Sequence, residues 1–110
     1  MDDRSITKEC LETTGFYYTL SMISGKYKTT ILYTLYEFNV VRFNEMKKYI
    51  GTVSYKTLSS TLKELEADDL VFRKEYPQIP PRVEYSLTER GKTLIPILEC
   101  MRAWGNENKK

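Results

Sequence analysis

The sequence predicts a mainly α-helical domain carrying one small β-hairpin, an α+β arrangement. Three observations predict it. Apolar residues recur at helical spacing through most of the chain. After Leu70 the period shortens to two, where Val83, Tyr85 and Leu87 alternate with polar residues. A tract with three prolines in five residues, "PQIPP", separates two short strand-like runs. The chain has 110 residues, of which 41% are apolar and 29% charged, a composition that suits one soluble domain with one modest core. Residues 1–15 read as an N-terminal arm, 16–87 as the core and 88–110 as a C-terminal helix of the same domain.

The elements follow in order. In "LETTGFYYTLSMIS", Phe16, Tyr17, Leu20 and Ile23 fit a short helix beginning after Gly15. "SGKYKTTILYTLYEF" reads as a second helix, with Tyr27, Ile31, Leu35 and Phe38 along one stripe and Asn39 ending it. "VVRFNEMKKYI" begins extended and then turns into a third helix. Asn44 is its expected N-cap, Glu45 sits in its first turn, and Met46 and Ile50 form its buried side. "GTV" is a tight link. Ser54 then caps a fourth helix whose stripe is Leu58, Leu62 and Leu65. The opposite side of that helix carries Lys56, Ser59, Ser60 and Lys63.

"VFRKEY" and "VEYSL" form the hairpin, with Arg73, Lys74 and Arg82 flanking its tip. Thr88 caps the last helix, in which Leu94, Leu98, Met101 and Trp104 make an apolar stripe. Pro96 should bend this helix or confine its regular part to later residues. So apolar a terminal helix needs a surface to cover, and in a small domain that surface is commonly a second copy of the chain.

Charge distribution separates the function classes better than the net charge of +2 does. Between Arg42 and Lys63 the bases are Arg42, Lys47, Lys48, Lys56 and Lys63, against the single acid Glu45. Local basicity of this kind suits a polyphosphate partner, since each neutralised phosphate releases counterions. Two helices joined by a short turn, the second basic at its front, form a helix-turn-helix, and a basic hairpin behind it is a wing. The expected partner is double-stranded DNA. The candidate contacts are Ser54, Tyr55, Lys56, Thr57, Ser59, Ser60 and Lys63 on the fourth helix, Lys47 on the third, and Arg73 and Arg82 on the wing. The alternative is a winged-helix module that binds a protein instead of DNA, for which the charge asymmetry would have no purpose.

Other classes find little support. The chain has no histidine and no glycine-rich phosphate loop, so the commonest acid–base and nucleophilic arrangements are missing. No catalytic residue, cofactor or metal site is expected. Apolar runs are too short for a membrane span and the start is not signal-like, so a cytoplasmic location is expected. The two cysteines, Cys10 and Cys100, give neither a disulfide framework nor metal-ligand spacing.

The segments "SGKYKTTIL", "RFNEMKKYIGTVSYKTLSSTLKELEADDLV", "PPRVEYSLTERG" and "LIPIL" closely resemble the HxlR-type family of winged-helix transcriptional regulators. The resemblance covers nearly all of residues 16–105. It implies a bacterial repressor or activator, similar in plan to the MarR-type regulators. It implies a homodimer built through N-terminal and C-terminal helices, which adds Phe16 and Leu20 to the dimerisation candidates. Residues 54–67 become the recognition helix, and Arg82 a wing residue close to DNA.

Three positions depart from the family pattern. Tyr27 stands where Trp is usual. Thr14 stands at the position where many members carry a cysteine, in some of them a sensor of oxidants, whereas Cys10 lies four residues earlier. Asp69 stands where Gly is usual, at a position that should need a left-handed backbone. Cys10 and Cys100 remain the candidate redox residues, with an oxidant or a small molecule as the effector. The plainer reading of Cys100 is a small apolar filler at the edge of the terminal stripe.

Overall fold

In a computed structural model, residues 13–110 are described. Cys10 and most of the expected N-terminal arm lie outside them. The elements are α1 (Gly15–Ile23), α2 (Lys28–Phe38), β1 (Val41–Arg42), α3 (Phe43–Ile50), α4 (Tyr55–Ala67), β2 (Val71–Tyr76), β3 (Arg82–Leu87), α5 (Glu89–Lys92) and α6 (Ile95–Asn108). Thr14 caps α1, its hydroxyl accepting from the Tyr17 N–H at 3.3 Å. Gly15 is therefore the first helical residue, one position earlier than expected.

The core is one cluster. Ile31, Leu32 and Leu35 of α2 pack with Met46 of α3 and with Leu58, Leu62 and Leu65 of α4, all at most 1% exposed. Each such side chain contributes about 1.5–3 kcal/mol relative to exposure. Tyr27 packs against this cluster in its expected role, and its hydroxyl donates to the Thr52 carbonyl. The α2 stripe needs one correction. Leu32 is buried and Phe38 is half-exposed, stacked on Tyr49 with ring centroids 4.6 Å apart. Phe38 is the last helical residue, at the edge of the arc set by Ile31, Leu32 and Leu35. Asn39, with φ of 65°, turns the chain there.

The sheet has three antiparallel strands in the order β1-β3-β2. Its third member is β1, in which Val41 pairs with Tyr85 and Arg42 with Glu84. The strand runs straight into α3, so the helix is capped by Arg42 and not by Asn44. The Glu45 carboxylate accepts from the Arg42 N–H at 3.1 Å, the reason an acid suits that position.

Helix α4 ends in a Schellman motif. The Leu70 N–H bonds to the Leu65 carbonyl and the Asp69 N–H to the Glu66 carbonyl, with Asp69 left-handed at φ of 58°. The expected conformation of Asp69 is the one present. A second knot lies beside it. The Thr88 hydroxyl donates to the Asp69 carbonyl at 2.6 Å, accepts from the Gly91 N–H at 2.9 Å, and the Thr88 N–H reaches the Leu70 carbonyl at 3.1 Å.

The C-terminal segment is two helices, not one. Thr88 caps the short α5, and Pro96 then sits in the first turn of α6, where its missing N–H costs nothing. Leu94 and Leu98 of the expected dimerisation stripe point into the protomer's own core at 8% and 2% exposure. Met101 and Trp104 of the same stripe are exposed, as are Phe16 and Leu20 of α1. Cys100 is exposed as well.

Candidate nucleic-acid interface

Helix α4 presents its polar side because its three leucines face inward. Ser54 accepts from the Thr57 N–H at 3.0 Å, which aligns the first turn and leaves the Tyr55 and Lys56 amides without intrahelical partners. Lys56, Ser60 and Lys63 are exposed, and Ser59 and Thr57 are half-buried. Ser60 and Thr61 hydroxyls both donate to the Thr57 carbonyl, at 3.1 and 2.7 Å, so their oxygens remain as acceptors. Tyr55 stacks loosely on Phe43, and the Lys47 ammonium lies 5.1 Å from the Tyr55 ring centre. Lys47 and Tyr55 thus form one unit at the amino end of the helix.

An open groove of about 940 Å³ runs between α4, the start of α3 and the hairpin. Ser59, Lys63, Arg73 and Arg82, four of the expected contacts, line it together. Ser54, Tyr55, Lys56, Thr57, Ser60 and Lys47 do not line it; they belong to the front and outer side of α4 and its neighbour. Lys48, which like Lys47 was expected to touch phosphate or face water, also lines the groove, and so does Arg42, which was not expected as a contact. The signal for Arg42 was available, since a base at the strand–helix junction is already part of the basic segment. Five cations therefore face two carboxylates, Glu45 and Glu66. The lining is net cationic and attracts an anionic partner, although Arg82 and Arg73 also pair with Glu84 and Glu75.

The wing arginines are held in place. Arg82 bonds one oxygen of Glu84 through Nε at 2.8 Å and through Nη2 at 2.6 Å. Tyr76 donates to the other oxygen at 3.0 Å, and its ring lies under the Arg82 guanidinium at 4.7 Å. The Lys74 ammonium lies 4.9 Å from the same ring. Burial by itself would raise the Glu84 pKa. Hydrogen bonds from Arg82 and Tyr76, with the charges of Arg82 and Arg42, outweigh it and hold the carboxyl below its ordinary value. Arg73 bonds Glu75 at 3.0 Å. Its pKa is raised by Tyr85 and Glu75, so it stays cationic at any working pH.

Such a site can bind phosphate at several points and present hydroxyl and ammonium groups to base edges. Among the described residues no group of acidic or cysteine side chains could hold a metal ion, and no helix is long and apolar enough to cross a membrane.

Comparison with known proteins agrees. The family model described as HxlR-like helix-turn-helix matches residues 22–110. An uncharacterized HTH-type transcriptional regulator of Halalkalibacterium halodurans is 60% identical over 99 residues, covering 90% of this chain and 88% of that protein. The HTH-type regulator YdzF of Bacillus subtilis is 44% identical over 90 residues, covering 82% and 83%. Among solved structures, the redox regulator HypR in its reduced form aligns with a TM-score of 0.82 at 41% identity, over 88% of this chain and 95% of that one. The reduced form of the B. subtilis transcriptional regulator YodB gives 0.76 at 28% identity, over 94% and 95%. With its helix-turn-helix, basic wing and these relatives, the chain belongs to the HxlR-like family and is a DNA-binding transcriptional regulator.

Proposed function

We propose that the protein acts in the cytoplasm as a homodimer, reading an inverted-repeat operator with one α4 per half-site. The observation that carries this reading is the cationic groove between α4 and the wing. Lys56, Ser59, Ser60 and Lys63, with Thr57, read the major groove, while the free amides at Tyr55 and Lys56 and the Lys47 ammonium seat phosphates. Arg73 and Arg82 carry the wing to the flanking backbone. The second copy is supported by the unpartnered apolar side chains of the two terminal helices. Phe16 and Trp104 are about 70% exposed, and Met101 is half-exposed. Of the original stripe, Leu94 and Leu98 support this interface only from beneath.

The test is selection of sheared genomic DNA on the purified protein at moderate salt, followed by sequencing. Enrichment of an inverted repeat with half-sites about 34 Å apart, or a multiple of that, is expected. Retention of no DNA even at low salt would refute the proposal.

A further inference from the structure

Two cations outside the DNA groove join α1 to the back half of α4. Lys28 is buried at 9% exposure, uncommon for an ammonium unless it is partnered. Its Nζ donates to the Ser21 carbonyl of α1 at 3.3 Å and meets the Glu64 carboxylate of α4 at 3.2 Å. Arg90 forms the second bridge. Its Nε donates to the Asp68 carbonyl, at the carboxyl end of α4, at 3.1 Å. Its Nη2 bonds the Tyr18 hydroxyl and lies 3.8 Å from the Met22 sulfur, both on α1. The Arg90 guanidinium also faces the Tyr18 ring at 5.8 Å.

Neither bridge is needed to bury α4, whose leucine stripe does that. Apolar burial is non-directional, so close packing of the leucines limits the movement of the helix without dictating its fine attitude. Charge-assisted hydrogen bonds are directional. Lys28 acts at a side chain one residue after Lys63 and so fixes the roll of α4. Arg90, on the surface, acts at a terminal carbonyl beside the Thr88 bonds and bears on the position of α4 along its axis. Side chains that read bases need placement to within about 0.5 Å.

We infer that Lys28 and Arg90 are positioning residues that couple the seating of α1 to the attitude of the recognition helix. The inference rests on the reading of α4 as the DNA-reading helix. Whatever presses on the exposed Phe16–Leu20 side of α1, a second copy of the chain foremost, then reaches DNA specificity through these two cations. Neither touches the groove.

The test compares affinity for the DNA fragment selected by the wild-type protein with affinity for a random-sequence duplex of equal length. Glu64 is largely exposed, so Glu64→Gln leaves the fold intact. Removing an acid from α4 should, by charge alone, tighten binding to both duplexes equally. Coupling demands instead that the ratio of the two affinities fall, by about three- to tenfold. Lys28→Met should lower the ratio similarly, and should not add to Glu64→Gln, because both break one bridge. Arg90→Met should lower it further when combined with either. Ratios equal to wild type in all three variants, or additive effects of Lys28→Met and Glu64→Gln, would overturn the coupling while leaving DNA binding standing. A wild-type protein without preference between the duplexes would instead sink the regulatory reading, and the coupling with it.

Discussion

Arg82 and Glu84, two residues apart on β3, share a carboxylate oxygen through two guanidinium nitrogens, with Tyr76 holding the other oxygen. The register sets Glu84 between Arg42 of β1 and Lys74 of β2, so it lies in a cationic row. The acid aims its neighbour's charge at the edge of the groove and keeps it from collapsing elsewhere.

Replacing Arg82 with Ala should weaken DNA binding and reduce the slope of log affinity against log salt by about one. Titrating binding between low and moderate salt decides this. Equal affinity and equal slope would remove Arg82 from the interface.

Glu84 also sets a pH dependence. Its folded pKa lies below its unfolded value, so its contribution to stability is complete above the ordinary glutamate range. That contribution begins to fade below about pH 4.3 and disappears as pH falls through the lowered folded pKa. Glu84→Gln should therefore be less stable than wild type at neutral pH, with the gap narrowing on acidification. Thermal melts across that range test it, and a gap that stays constant would contradict it.

Asp69 holds a left-handed backbone that glycine adopts without strain. Asp69→Gly should be neutral or raise stability by up to about 1 kcal/mol. A lower melting temperature would mean that the carboxylate has a role of its own at the end of α4.

Gly91 is the opposite case. A Cβ there would lie 2.1 Å from the Leu70 carbonyl oxygen, in backbone that cannot swing aside. Gly91→Ala should cost at least about 2–3 kcal/mol, read from urea unfolding. A loss under half that figure would show that α5 can shift away from the turn.

Met101→Asp combined with Trp104→Ala places charge, and removes bulk, on a face that the protomer itself leaves uncovered. Sedimentation should show a dimer for wild type and a monomer for this variant, with weaker operator binding. An unchanged sedimentation coefficient would place the interface elsewhere.

Much of this was legible in the residues. The Ser54 cap, the Leu58–Leu62–Leu65 stripe and the proline-tipped hairpin each depend on local chemistry, and local chemistry is written in sequence; the left-handed turn at Asp69 was legible only through the family resemblance. Three features were not. A two-residue strand such as β1 has no period to detect, and once it pairs with β3 it moves the helix cap from Asn44 to Arg42. Leu94 and Leu98 share a stripe with Met101 and Trp104, and only the packing of α6 on α2 divides that stripe between inside and outside. Lys28 reads as a surface base until its carboxylate partner, 36 positions away, is found beside it. The gathering of Arg42, Arg73 and Arg82 into one groove has the same origin, since strand pairing across long sequence separations assembles it.

The knot of Thr88 on Asp69, Leu70 and Gly91 closes the chain on itself at the base of the hairpin. Residues 71–87 are therefore an excursion whose two ends are fastened to each other, while Val71, Tyr85 and the pairing of β3 with β1 tie its base to the body. The exposed tip, residues 77–81, is the part that can be lengthened, shortened or exchanged as a cartridge, and a new operator preference could be grafted there without redesigning the body that carries it.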